Sequence, residues 1–398
     1  MVTDAIYPYH LGGKEVRYHH VVEGLAERGV EVHVFTMRWW EGPAHRTEGR
    51  VHYHAVCRRY PLYAGHRRSV VEAVMFALAC LRLAGYRYDL IEADHMPHLQ
   101  LFTLRLVAWL RRVPLVVTWH EFWGLDYWRR YLGRAGVVAA AIEQVTMRLG
   151  DAVLTPSPET AARLAANGLP RERVTVVPNG LDLGLIAATE PSPLAFDLLY
   201  VGRLVEHKHV DQLLDATAAL RHEGRELTCG IVGEGPERRA LEERAARLGL
   251  GEQVRFLGTF ADHAEVFGLM KAARLFVLPS TREGFGIVVA EAIACGLAVV
   301  TTNHEDNHAS ALVEPGVTGW LCAATPLSLA QAVETALAHA GEATLGREVG
   351  LERFAWQASV ASILDVFARA RSVRTGDATG PDAPARQGGR ATTRHPSG

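Results

Sequence analysis

The stretch Pro279–Gly296, PSTREGFGIVVAEAIACG, decides how the rest of the chain is read. The apolar run LFVLPS leads into it and reads as a buried parallel strand. EGFG follows as a short loop of small residues, and an apolar helix opens near Gly286. Strand, glycine loop and helix are the unit of a doubly wound α/β sheet. A helix N-terminus leaves backbone N–H groups unpaired, which suits a phosphate or a sugar hydroxyl. Gly284 and Gly286 permit a ligand to approach the backbone closely. Glu283 falls in the loop and Glu291 on the second helical turn. Two carboxylates beside an anion site repel the anion but suit hydroxyl groups, one on a sugar and one on a ribose.

The same alternation runs outward in both directions. In the front half, Val2 to Ile6 reads as a short first strand, short enough to leave open whether the N-terminus is complete. YPYHLGGKE is then a loop whose Gly12–Gly13 pair opens a helix reaching about Arg28, and VEVHVFT is the next strand. Strands VHYHAV, YDLIEAD, PLVVTWH, DAVLTPS and VTVVPNGLD follow, separated by helical segments near 69–83, 97–112, 136–149 and 158–166. The pattern breaks at 184–193, the expected linker. DLLYVGRL restarts it, and the last helices are expected between Leu327 and Ala370. From Ser372 onward, Gly, Pro, Thr and Arg without apolar periodicity predict a disordered tail over 372–398. The expectation is two Rossmann-like domains, 1–184 and 195–354, facing each other across a cleft at the carboxyl ends of both sheets.

Bulk properties exclude several classes. A chain of 398 residues, 48% hydrophobic with net charge −2, does not look like a nucleic-acid binder. Up to Glu190 there are 22 Arg/Lys against 19 Asp/Glu; beyond it there are 20 against 25, so any anionic surface suits the front half better. The five cysteines are scattered and never form CxxC, which predicts free thiols in a reducing cytoplasm. No signal-peptide pattern opens the chain, and the longest apolar run, Ala73 to Leu81, is too short to cross a bilayer.

GRLVEHKH puts Arg203 and Lys208 at a strand's carboxyl end, a guanidinium fork and a point charge suited to a diphosphate. Two solvated basic residues would look the same in isolation. GEGP at 233–236 lacks the third glycine of a dinucleotide fingerprint and reads as a tight turn. TWHEFW places His120 at the end of a buried strand, although a lone histidine among aromatics is more often structural. Segments 58–68 and 128–134 mix arginines with aromatics, a composition that suits an anionic membrane interface as well as ordinary surface. The histidines between Tyr9 and Val34, with His52 and His54, show no linear metal-ligand spacing, so no metal site is expected.

Taken together, these motifs resemble the retaining family 4 glycosyltransferases of the GT-B fold. PYHLGGKE, TWHE, VVPNGLD, VGRLVEHK, IVGEGPE, VRFLG and EGFGIVVAEAIACGLAVVTT carry the resemblance in order, and the Glu283-x7-Glu291 spacing is its most specific part. The resemblance implies transfer of a sugar from a nucleotide-sugar donor to an envelope, lipid-linked or polysaccharide acceptor. No cofactor and no metal are implied, and the expected place is the cytoplasm, peripherally on the inner membrane face. It also implies roles. Arg203 and Lys208 would hold the diphosphate, and Gly12 and Gly13 would approach it from the front. Glu291 would hold the ribose, and Glu283 with Phe285, Gly286, Ile287 and Val288 the sugar and phosphates. His120 would lie at the reacting centre and the base near Phe256. The final helix, about 355–371, would pack back on the front domain. NHEDNHASALVEPG departs from the glycine-rich segment usual after the AVVTT-type strand. A sugar-nucleotide epimerase or hydrolase of the same fold, and a non-catalytic nucleotide-sugar-binding protein, are the competing readings.

Overall fold

Four-residue apolar runs form the central strands of the rear domain: Leu198–Val201, Cys229–Val232, Leu275–Leu278 and Val299–Thr302. Each is buried along its whole length, as strands covered by helices on both faces must be. In the computed structural model, residues 1–10, 12–64, 67–339 and 354–375 are described. The rear sheet is parallel, in the spatial order Val254–Gly258, Cys229–Val232, Leu198–Val201, Leu275–Leu278, Val299–Thr302, Gly319–Cys322. Strand order reverses between Leu198–Val201 and Leu275–Leu278. Such a switch point opens a crevice at the strands' carboxyl ends, and from it emerge the loops carrying Arg203, Lys208 and Glu283.

The front domain repeats the plan. Antiparallel His45–Glu48 edges the parallel strands Val51–Cys57 and Val32–Met37. Ile91–Asp94, Leu115–Thr118, Ala152–Thr155 and Val174–Val176 continue beyond. Val2 joins the two groups through parallel bridges to Phe35 and Ala93. The strand expected over 2–6 is thus reduced to one bridging residue, because the chain leaves the sheet at Asp4, whose buried carboxylate is taken by Lys14 and Arg68. The chain is therefore an α/β protein of GT-B architecture.

Two further boundaries differ from expectation. Inside 184–193 lies the helix Leu183–Ala188, capped by the Asp182 carboxylate, which accepts from the Leu185 amide at 2.9 Å, with Ile186 buried. Residues 372–375 continue the helix Trp356–Thr375 rather than starting a tail, and Arg374 reaches Asp151 at 3.0 Å; 376–398 lie outside the described residues. That helix contributes Trp356, Val360, Ile363 and Val366 to the front-domain core. Gly180 is required beneath it: a Cβ there would lie 2.2 Å from the Trp356 ring.

Candidate active site

The loop between Leu275–Leu278 and the helix Ile287–Ala294 forms the floor of the cleft. Gly286 caps the helix at φ +82°, and a Cβ on it would lie 2.3 Å from the Ala309 methyl, so only glycine fits. Glu283 is pinned through its backbone: its amide donates to the Asp306 carbonyl and its carbonyl accepts from the His308 amide, both at 3.0 Å. The polar segment that replaces the usual glycine-rich one therefore supports this loop. Asn307, buried, donates to the Thr302 carbonyl at 2.7 Å and holds the segment against its strand.

The Glu283 carboxylate forms an ion pair with Lys208. Glu291 is buried on the same helix, 3.0 Å from His263 Nε2. Burial disfavours the His263 imidazolium, but the hydrogen bond with Glu291 and the charges of Glu291, Asp182 and Asp262 together outweigh it and raise the pKa. Arg203 reaches across the cleft and donates to the Tyr63 hydroxyl at 3.1 Å.

Front-domain residues close over this floor. A Cβ on Gly13 would lie 3.2 Å from Ile287 Cδ1, which brings the glycine pair against the helix start. A Cβ on Gly284 would lie 2.8 Å from the His120 carbonyl and from Glu121 Cγ, so that loop passes directly beside His120. Arg282 forms an ion pair with Glu121 and sits over the Trp123 and Tyr127 rings, at 4.5 and 4.1 Å from their centroids. Burial would raise the Glu121 pKa, but the Arg282 guanidinium overrides this and holds it at about 2.

Behind His120 lies a network of buried charge at the carboxyl ends of the front strands. Lys14 Nζ is 2.9 Å from Asp94 Oδ2 and also pairs with Asp4, which binds Arg68. Burial opposes ionisation of Asp94, but Lys14 together with the His95 and His120 rings outweighs it and holds the carboxyl below its usual range. His120 Nε2 lies 3.7 Å from Asp94 Oδ1 and has no hydrogen-bond partner. Burial holds His120 down at about 3 against the pull of Asp94, so the imidazole is neutral at pH 7.

The structure thus brings Gly12, Gly13, His120, Lys208, Glu283, Gly286, Ile287 and Val288 to one cleft, with Arg203 at its side and Glu291 one turn down the helix, whereas the Phe285 ring turns into the rear core against Phe354. Phe256 is set apart, half-buried in the edge strand Val254–Gly258, with two strands between it and Leu275–Leu278. Beside Glu283 opens a cavity of about 240 Å³, bounded by Glu121, Tyr127 and Arg163 of the front domain and Arg282, Glu283 and His308 of the rear. Asp94, Lys14, Glu121, Arg282 and His263 were missed from sequence. Asp94 ends a buried strand as His120 does, and that shared position was the available signal.

Fold and cleft together define a GT-B protein with a site shared between two domains. Residues 11–185 match the family model for Glycosyltransferase Family 4, and 191–344 that for Glycosyl transferases group 1. The chain is 30% identical over 390 residues to D-inositol 3-phosphate glycosyltransferase 1 of Catenulispora acidiphila, covering 89% of this chain and 90% of that protein. Glycogen synthase of Mycobacterium tuberculosis is 32% identical over 271 residues, covering 65% of this chain and 64% of that protein. The alignment thus spans just under two thirds of that relative's length. Among solved structures, Anabaena HepE in complex with UDP-glucose shares the fold, with TM-score 0.69 and 22% identity over 92% of this chain and 98% of that one. The chain belongs to glycosyltransferase family 4.

Proposed function

We propose that the protein transfers a sugar from a nucleotide-sugar donor to a hydroxyl of an envelope, lipid-linked or polysaccharide acceptor, with retention at the anomeric carbon. One observation carries the reading. Lys208, Glu283 and the Gly286-capped helix start meet the Gly12–Gly13 turn and an unpartnered His120 Nε2 across a single cleft.

The Arg203 guanidinium, Lys208 and the first-turn amides of Ile287–Ala294 supply the positive field for a diphosphate, so no metal is assigned to this step. Each charge-assisted bond there is worth roughly 1.5–3 kcal/mol. Lys208 pairs with Glu283, and a donor takes both: phosphate oxygens on the lysine, a sugar hydroxyl on the carboxylate. Glu291 accepts from ribose hydroxyls, and the backbone near Phe256 borders the base. Neutral His120 hydrogen-bonds a donor-sugar hydroxyl and is backed by Asp94. The acceptor hydroxyl enters from the cavity beside Glu283. Its oxygen bonds to the anomeric carbon on the face that the diphosphate leaves, and the departing phosphate takes its proton. No side chain is needed as a nucleophile, which assigns most of the rate to positioning and charge stabilisation.

A thermal-shift screen of GDP-, UDP- and ADP-sugars tests the assignment. One nucleotide class should stabilise the protein, in EDTA as well as without it. Arg203→Ala and Glu291→Gln should each weaken binding roughly ten- to a hundredfold, the loss of one charge-assisted bond. Equal stabilisation of wild type and both variants overturns the site. Sugar release without acceptor would favour an epimerase or hydrolase.

Peripheral contact with an anionic membrane is part of the same reading. Among the described residues no helix is long and apolar enough to cross a bilayer. The helices Val70–Ala79 and Leu99–Arg111 nevertheless expose Val71, Leu78, Trp109 and Leu110, each by more than half. Exposed Arg111 and Arg112 border that face. Such a surface suits a protein that meets a lipid-linked acceptor.

A further inference from the structure

Four histidines of the front domain gather on its edge strands, with His33 and His52 near the amino-terminal ends of the parallel pair, whereas the cleft residues lie at the carboxyl ends. Their positions look unrelated in sequence, and strand register collects them. The parallel pairing of Val32–Met37 with Val51–Cys57 sets His33 opposite His52. The antiparallel edge strand sets His45 opposite His54 and Thr47 opposite His52. Because side chains alternate along a strand, all of these point to one face of the sheet.

The ring nitrogens are already sorted. His33 Nδ1 lies 2.9 Å from His54 Nε2, and His54 Nδ1 lies 3.1 Å from His45 Nδ1. His52 Nδ1 lies 3.0 Å from the Thr47 hydroxyl, which leaves its Nε2 facing Glu31 Oε1 at 3.0 Å. The bond to His54 likewise commits His33 Nδ1 and leaves its Nε2. One ligating atom each of Glu31, His33 and His52 falls within 4.8 Å of the others.

We propose that Glu31, His33 and His52 form a binding site for a divalent transition-metal ion, with His54 and Thr47 as the outer partners that orient the two ligating rings. Two imidazoles and a carboxylate suit zinc and its neighbours rather than magnesium or calcium. A tetrahedral zinc site with Zn–N near 2.0–2.1 Å needs its ligands about 3.3 Å apart. The exposed Glu31 side chain and small rotations of the stacked His33 and His52 rings close the remaining gap. Metal-bound histidines in general have their second nitrogen held by such a partner. The fourth position is open to water at the sheet edge. Bound metal would clip the turn after the first helix to the second parallel strand, far from the sugar-transfer cleft.

Isothermal titration of zinc chloride into tag-free, chelator-treated, dialysed full-length protein tests this. The wild type should bind one zinc per chain, with a dissociation constant in the micromolar range or tighter, and its melting temperature should rise with zinc. His33→Ala, His52→Ala and Glu31→Gln should each weaken binding at least tenfold and abolish the rise. His54→Ala should weaken it by a smaller factor. Glu31 is exposed, so Glu31→Gln is expected to fold and remains informative where a histidine variant does not. His339→Ala, on a distant helix, should bind as wild type does. Absence of saturable binding, or binding left unchanged by Glu31→Gln and both histidine variants, overturns the proposal. Donor-sugar thermal shifts should be the same in all these variants, which separates this site from the cleft.

Discussion

At the scale of single residues, the cleft is defined by positions where only one side chain fits. Gly286 combines a left-handed backbone with a methyl of Ala309 where its Cβ would stand. Gly286→Ala is therefore expected to cost about 2–4 kcal/mol, the sum of backbone strain and overpacking. The same substitution displaces the helix start, so donor-induced thermal shift should fall along with the melting temperature. A variant that melts and binds as wild type does would show that the helix start tolerates movement and is no phosphate cradle. The two glutamates of the opening stretch were assigned to hydroxyl groups from sequence, because paired carboxylates beside an anion site need such a reason. The structure gives each a nitrogen partner as well, Lys208 for Glu283 and His263 for Glu291. Lys208 is legible as a diphosphate partner on the same cleft; His263 is not, because it opens the helix after the edge strand Val254–Gly258 and meets Glu291 only through the fold.

At the scale of elements, the alternation of strands and helices was legible because buried parallel strands are short, uninterrupted apolar runs. The small antiparallel pieces were not: HRTE carries no apolar alternation, and His45–Glu48 forms only as an edge on Val51–Cys57. Contacts across the cleft were the least legible. Glu121 and Arg282 are 161 residues apart, and no local pattern links them. Their pairing has a pH signature. The folded-state pKa of Glu121 is depressed from 4.5 to about 2, so its contribution to stability is present above about 4.5 and is lost as pH falls toward 2. His120 adds an earlier loss. Its imidazole is depressed from 6.5 to about 3, so the unfolded chain takes up a proton first, and stability declines as pH falls from about 6.5 toward 3. Melting temperature measured from pH 8 to 3 should thus fall in two overlapping stages. Glu121→Gln should lower it at neutral pH, where Arg282 loses its partner, and flatten the stage below 4.5. An unchanged acid limb in that variant would show that the pair does not hold the domains in solution.

At the scale of the whole molecule, the two Rossmann-like halves are tied by the helix Trp356–Thr375, which starts beside Phe354 in the rear core and is buried in the front core. The front half thus carries one wall of the cleft and an apolar outer face. From sequence, the arginines between 58 and 68 suit ordinary surface as well as a lipid-facing group. Within the fold, Arg68 is committed to Asp4 and Glu72, so part of that charge is spent inside the protein, whereas exposed Arg59 lies over Trp39. The helices Val70–Ala79 and Leu99–Arg111 offer the larger apolar surface, with Trp109 63% and Val71 64% exposed. Burying a large apolar side chain is worth about 1.5–3 kcal/mol, so four of them with two arginines suffice for reversible attachment to anionic lipid. Sedimentation with vesicles containing phosphatidylglycerol should pull down the wild type at low salt. Leu78→Glu with Trp109→Glu should reduce the bound fraction severalfold, with donor-sugar thermal shifts unchanged. Neutralising Arg111 and Arg112 should make the residual binding insensitive to salt. If the double glutamate variant sediments as wild type does, the face meets something other than lipid. A dimer that dissociates in that variant would identify a second copy of the chain as its occupant.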